Sequence, residues 1–220
     1  MQHINRAIAL NIKHHETGGL HYIGTVPITQ RQRLLAKRQA WIHTEHAVEI
    51  GRGTLQKYKR DNELKLDYQG LLGEVIIGAQ LSKVRVARET SALFAVKPDK
   101  GPDITLADGH AYDIKTFIGD SRALNVNAEK HDTLIDRGCR GYLFAICRRE
   151  FWHEPADADD LARMLMAVDE TVADDYAEVW YCEMQDLEGG DGWRLNQGMY
   201  GSAYYSHAIP PAPEALRLAA

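Results

Sequence analysis

Cysteine is scarce: Cys139, Cys147 and Cys182 are odd in number and none forms a CxxC pair. That excludes a disulfide framework, a zinc ribbon and a thioredoxin-like site, and it fits a reducing compartment. Long apolar runs are missing as well. The longest, such as Tyr142-Leu-Phe-Ala-Ile-Cys147, fall far short of the roughly 20 residues that a spanning helix needs. The start, Met1-Gln-His-Ile-Asn-Arg6, leads through a short apolar patch to Lys13-His-His-Glu16 without a small-residue cleavage site, so no export signal is expected. The expectation is a soluble, cytoplasmic protein with no membrane partner. Low-complexity tracts and repeats of 20 to 50 residues are absent too, which removes disorder, collagen, coiled coils and solenoids. There is no GxSxG, no Walker A motif and no Cys–His nucleophile pattern. Gly51-Arg-Gly53 lacks the further glycine of a dinucleotide fingerprint and follows a helix.

What is present suits one globular domain, or one domain with an appendage: 220 residues, 45% of them hydrophobic, with a formal net charge of -5. The charge is unevenly placed. Residues 31–60 carry eight basic side chains (Arg31, Arg33, Lys37, Arg38, Arg52, Lys57, Lys59, Arg60) against Glu45 and Glu49. Residues 153–191 carry thirteen acids and one base, Arg163. The basic stretch is able to face phosphates, and a net acidic chain does not argue against this, because the footprint that matters is one face. The plainer alternative is two solvated helix faces.

Thr29-Gln-Arg-Gln32 is a capping-box pattern, and Leu34, Leu35, Trp41, Ile42 and Val48 recur at roughly helical spacing, predicting a helix to about Gly51. A second helix is expected over 64–81, with Leu71, Leu72, Val75 and Ile76 apolar and Glu74 inside it. A broken β-rich stretch, 84–96, precedes Asp103-Ile-Thr-Leu106, then Asp108-Gly109, then a strand to Phe117, which together read as a hairpin. Asn127 is placed to cap a short helix over 128–137 that Gly138 ends, and 141–147 reads as a buried strand. An amphipathic helix near Leu161, a strand over 177–184 and a loop-rich tail complete the layout, which is α/β.

The chemistry sits in the hairpin. Asp113 and Lys115 are two apart on a strand, so both point to one face of the sheet. Asp103 opens the partner strand and is brought back toward them. Two close carboxylates repel unless a cation bridges them. Oxygen ligands without cysteine or histidine suit Mg²⁺, with Mn²⁺ able to substitute. Lys115 beside that metal would orient an attacking water and offset transition-state charge, the chemistry of phosphodiester hydrolysis. The bland counterpart is an exposed cross-strand ladder with Asp103 ending a turn. Pro98-Asp99 competes with Asp103 as the first acid, but Lys100-Gly101 follows it and breaks any strand running straight into the hairpin.

Gly101-Pro102-Asp103, nine residues, then Asp113-Ile-Lys115, with Gly73-Glu74 upstream on a helix, resembles the PD-(D/E)xK nuclease superfamily, the restriction-endonuclease-like fold. The order helix with acid, three strands, helix, strand over 64–147 agrees with that core. The resemblance implies a mixed central sheet flanked by helices, with N-terminal helices over 1–63, the nuclease core over 64–152 and a C-terminal extension of the same domain over 153–220. It implies that Asp103 and Asp113 ligate metal, that Lys115 assists the water, and that Glu74 adds a ligand or an acceptor. Asn125, Asn127 and Lys130 fall where that family often places polar residues that touch substrate or water. The expected function is Mg²⁺-dependent DNA hydrolysis by an endonuclease of restriction or repair type, with Lys57, Lys59 and Arg60 gripping the backbone. One site cuts one strand, so a homodimer is expected. The alternatives are a non-catalytic nucleic-acid-binding or assembly module of the same fold, and a metal-independent enzyme of an unrelated α/β fold.

Other signals are weaker. His43 and His46 lie three apart without a third ligand in view, as expected for an amphipathic surface. Cys139 beside Arg140 is a candidate activated thiol, and Cys147 a core residue. Tyr200, Tyr204, Tyr205 and His207 are able to stack on bases, but packing of the tail onto the core is the plainer reading.

Overall fold

The computed structural model describes residues 19–49, 57–83, 87–90, 102–106, 109–119, 123–148, 154–168, 173–189, 192–198 and 201–210. Its elements are β1 (His21–Thr29), α1 (Gln30–Glu49), α2 (Lys57–Lys83), β2 (Ala87–Thr90), β3 (Ile104–Leu106), β4 (Ala111–Ile118), β5 (Ala123–Asn127), α3 (Ala128–Asp136), β6 (Cys139–Cys147), α4 (Ala158–Ala167), β7 (Ala173–Glu183), α5 (Asp186–Gly189), β8 (Arg194–Gln197) and β9 (Ala203–Ala208). The capping box forms as written in the sequence. The Gln32 amide donates to Thr29 Oγ1 at 3.2 Å and the Gln32 side chain accepts from the Thr29 amide at 2.8 Å, so two orphan donors are satisfied at the start of α1.

Six strands make one mixed, curled sheet in the order β1-β7-β6-β4-β3-β2. Only β4 and β6 run parallel, with Asp113 opposite Tyr142 and Lys115 opposite Phe144. A parallel pair needs a crossover, and α3 lies within it. Asn127 caps α3 by accepting from the Lys130 amide at 2.9 Å, as expected from its sequence position. Strand β6 is buried on both faces, which accounts for its unbroken apolar run. One face of the sheet carries Tyr112, Ile114, Leu143, Ala145, Val179 and Tyr181 and is covered by Ala36 and Ala40 of α1 and by Leu72, Ile76 and Ile77 of α2. The other carries Tyr142, Phe144, Ile146 and Trp180 against Leu134 of α3 and Leu124 and Val126 of β5.

Several expectations are corrected. The N-terminal region, 1–63, expected to be helical, contains β1, which pairs antiparallel with β7 at the edge of the main sheet. Gly24 and Pro27 disguise it: Gly24 sits at a register shift, and proline is tolerated because this is an edge strand. Helix α2 starts at Lys57, seven residues before the expected position. The tail is not merely loop: β8 and β9 join β5 in a second, antiparallel sheet ordered β5-β9-β8.

Candidate functional site

The hairpin is present, with Ile104 opposite Tyr112 and Gly109 at a φ of 87° in the turn. Asp103 lies one residue beyond the paired end of β3, and its Oδ2 accepts from the Ile114 amide at 2.6 Å. Asp113 is 2% exposed, and its Oδ2 is bonded directly by the Lys115 ammonium. The same-face placement of Asp113 and Lys115 therefore holds, and Asp103 is fastened to the residue between them. Their face is the one that carries Tyr142, whose ring lies 5.7 Å from Lys115 Nζ. Burial and the neighbouring Lys130 ammonium push the Lys115 pKa down to about 7, with Asp103 opposing them. Two lysines and two aspartates thus converge at the middle of β4, beside the first turn of α3.

Glu74 is carried by α2. A side chain at Gly73 would touch Thr116 Oγ1 and Ile114 Cγ2, so α2 packs on the face of β4 opposite to Asp113 and Lys115. Among the described residues no three histidine, cysteine, aspartate or glutamate side chains are gathered as a metal-holding group. Asp103 and Asp113 offer two carboxylates, the kind of oxygen donor that a hard cation such as Mg²⁺ takes.

The expected nucleic-acid contacts divide similarly. Asn125 and Asn127 are exposed on β5, with the Asn127 carboxamide oxygen engaged in capping α3. Lys130 is exposed beside Lys115. The side chains of Lys57, Lys59 and Arg60 lie outside the described residues, as do Asp99 and Tyr200. Within the basic stretch, Arg33 and Lys37 are buried and bound to the acidic stretch: Arg33 meets Asp175 at 3.3 Å and Lys37 meets Glu154 at 2.8 Å. Those two cations serve the fold.

Of the remaining signals, Cys139 is not an activated thiol, because burial pushes its pKa up to about 11. None of the three cysteines is in a disulfide, and all are buried. His43 bonds Gln39 at 3.0 Å and His46 lies 3.7 Å from Glu49. Tyr205 packs against the second core cluster and His207 meets Trp193 edge-on at 5.0 Å, so the tail does pack on the core.

Sequence reading missed the support under Lys115. Tyr142 donates or accepts through its hydroxyl at 3.0 Å from His131 Nδ1 and stacks on both His131 and Phe144. Inside an apolar run, Tyr142 carried no local signal of this; only the β4–β6 register brings it under the site. His131 is fully buried, and burial pulls its pKa below the ordinary 6.5 despite Glu188 and Asp132. The unfolded chain therefore takes up this proton first. Stability from the neutral ring is complete above about pH 6.5 and is lost as the pH falls toward the lower folded value. Urea midpoints at pH 7.5 and 5.5 should show a drop that is smaller in His131→Gln than in the wild type; parallel drops would place the dependence elsewhere.

No helix among the described residues is long and apolar enough to cross a membrane. Comparison with protein-family models, with curated proteins and with solved structures found no match to this chain.

Proposed function

We propose that this chain is a Mg²⁺-dependent deoxyribonuclease built on a restriction-endonuclease-like core. The observation that carries the reading is the convergence of Asp103, Asp113 and Lys115 at one end of the β3–β4 hairpin. The order α2, β2, β3, β4, α3, β6, interrupted only by β5, supports it. Asp103 and Asp113 would hold the cation, which would supply Lewis-acid polarisation of the phosphodiester and activation of a water. Lys115 orients the water and offers positive charge where the pentacoordinate phosphate gathers negative charge. Tyr142 fixes the Lys115 ammonium from below, and Lys130 attracts the scissile phosphate. Exposed Arg38 and, at the start of α2, Lys57, Lys59 and Arg60 contact the flanking backbone. Two copies related by a two-fold axis would place one site on each strand, and the protein acts in the cytoplasm.

A second reading has its own observation. Lys115 and the Ile114 amide each satisfy one of the two acids without any metal, as suits a non-catalytic nucleic-acid-binding or assembly module. Purified protein incubated with plasmid, linear and branched DNA in Mg²⁺, Mn²⁺ or EDTA separates the two. Cleavage is expected with either metal and none in EDTA. DNA bound but left intact in all three would establish the non-catalytic module instead.

A further inference from the structure

Among the described residues, one face of the second sheet carries the exposed side chains of Asn125, Asn127 and Arg194 with the half-buried Asn196, Tyr204 and Ser206 between them. Leu124 and Val126 of β5 point into the core, so Asn125 and Asn127 point out. Through the antiparallel register, Asn125 lies opposite Ser206 and Ser206 opposite Arg194, while Asn127 lies opposite Tyr204 and Tyr204 opposite Asn196. Side chains of directly paired residues share a face, so these six form two adjacent rungs on the outer side of the sheet. Among their neighbours in sequence, Tyr205 packs on the core and His207 on Trp193, as the inner side should, while Leu195, on the edge strand β8, is 62% exposed.

The chemistry of these strands is distinctive for this chain. Across β5, β8 and β9 there is no aspartate or glutamate, and Arg194 is exposed, in a protein with 31 acids. The outer rungs offer amides, a hydroxyl, a guanidinium and one phenol ring. Asn196 donates to Ser206 Oγ at 2.6 Å and to the Arg194 carbonyl at 3.0 Å, which fixes the rungs against each other. The face is also continuous with the proposed site, because Asn127 ends β5 by capping α3 and Lys130, in the first turn of α3, stands beside Lys115.

We propose that this face of the β5-β9-β8 sheet binds single-stranded nucleic acid, with Tyr204 stacking on a base and Arg194 contacting a phosphate, and that it leads the strand to the Asp113–Lys115 site. The proposal rests on the nuclease reading for its destination, but not for its binding. An aromatic ring on a flat polar sheet accepts any unpaired base, and a base inside a duplex does not present its face. With no carboxylate on these three strands, the face repels a phosphate chain less than the net charge of -5 implies, although Glu188 and Asp132 lie near Tyr205.

The test is fluorescence anisotropy of a labelled oligothymidylate in EDTA, so that binding is read without cleavage, beside a duplex of the same length. Single strand is expected to bind more tightly than duplex. Tyr204→Ser should weaken binding roughly tenfold, the loss of one stacked base, while Tyr204→Phe, which keeps the ring, should match the wild type. Arg194→Gln should make the dependence of binding on salt shallower by about one phosphate contact. Thermal midpoints of the variants confirm that each is folded. Duplex bound as tightly as single strand, or Tyr204→Ser and Arg194→Gln both binding as the wild type, overturns the proposal. Binding as predicted without metal-dependent cleavage would remove the nuclease reading and leave this face standing; cleavage with unaltered binding by both variants would do the reverse.

Discussion

Asp113→Asn is expected to lower Mg²⁺-dependent DNA cleavage by about 100-fold or more while DNA affinity changes little. Asparagine keeps the shape of the side chain and removes its charge, so one of the two proposed anionic ligands is lost and Lys115 loses the carboxylate it contacts. Leaving one partner of a largely buried pair uncompensated also costs stability, on the order of 1–3 kcal/mol at a site where Lys115 keeps some exposure to water. That cost would confuse a simple loss of activity. The double variant Asp113→Asn/Lys115→Met removes both charges and should recover most of the stability without recovering cleavage. Lys115→Ala alone should also abolish turnover, and Asp103→Asn should resemble Asp113→Asn. Asp99→Asn should not. Wild-type turnover in Asp113→Asn or Lys115→Ala under matched metal removes the site assignment, and loss in Asp99→Asn with normal activity in Asp103→Asn moves the first ligand to Asp99.

The parts of this site that the sequence disclosed are the parts set by local rules. Alternation along a strand put Asp113 and Lys115 on one face, and a turn signal brought Asp103 back to them. Capping chemistry located the starts of α1 and α3 closely, because Thr29 with Gln32 and Asn127 with Lys130 satisfy donors three residues away. Long-range pairing has no such local marker. β1 joins β7 some 150 residues later, and β5 joins β9 some 80 residues later, and neither pairing leaves a trace in composition. Glu74 shows the same limit. Apolar neighbours place it correctly on a helix that packs against the sheet, but the side of the sheet that a helix covers is decided by tertiary packing. Charge pairing has the same limit: the basic and acidic stretches are separate in sequence, yet Arg33 and Lys37 reach Asp175 and Glu154, so part of the positive excess is neutralised within the fold.

The packing of α2 on β4, which sets that side, should turn on one glycine. A Cβ at Gly73 would lie 1.8 Å from Thr116 Oγ1, 3.1 Å from Thr116 Cβ and 3.2 Å from Ile114 Cγ2, whereas one at Gly70 would meet nothing within 4 Å. Alanine is favoured over glycine in a helix interior by roughly 0.5–1 kcal/mol, so Gly70→Ala should stabilise the protein by about that amount. Gly73→Ala gains the same propensity, but it drives a methyl into the seam. Rotating the Thr116 hydroxyl away relieves the nearest contact and forfeits its 3.5 Å approach to the Gly70 carbonyl; the contact with Thr116 Cβ remains, and only movement of the helix or strand removes it. Overpacking of this kind costs about 1–3 kcal/mol, so the net effect should be a loss. The two substitutions, three residues apart on one helix, should therefore shift the urea midpoint in opposite directions with an unchanged slope. Thr116→Ala should soften the effect of Gly73→Ala, since it deletes the atom met first, and the double-mutant cycle should show that coupling. Because Thr116 adjoins Lys115 on β4, Gly73→Ala should also depress cleavage more than its stability loss explains, and Gly70→Ala should leave cleavage unchanged. A Gly73→Ala protein as stable as Gly70→Ala would mean that α2 does not approach β4 this closely.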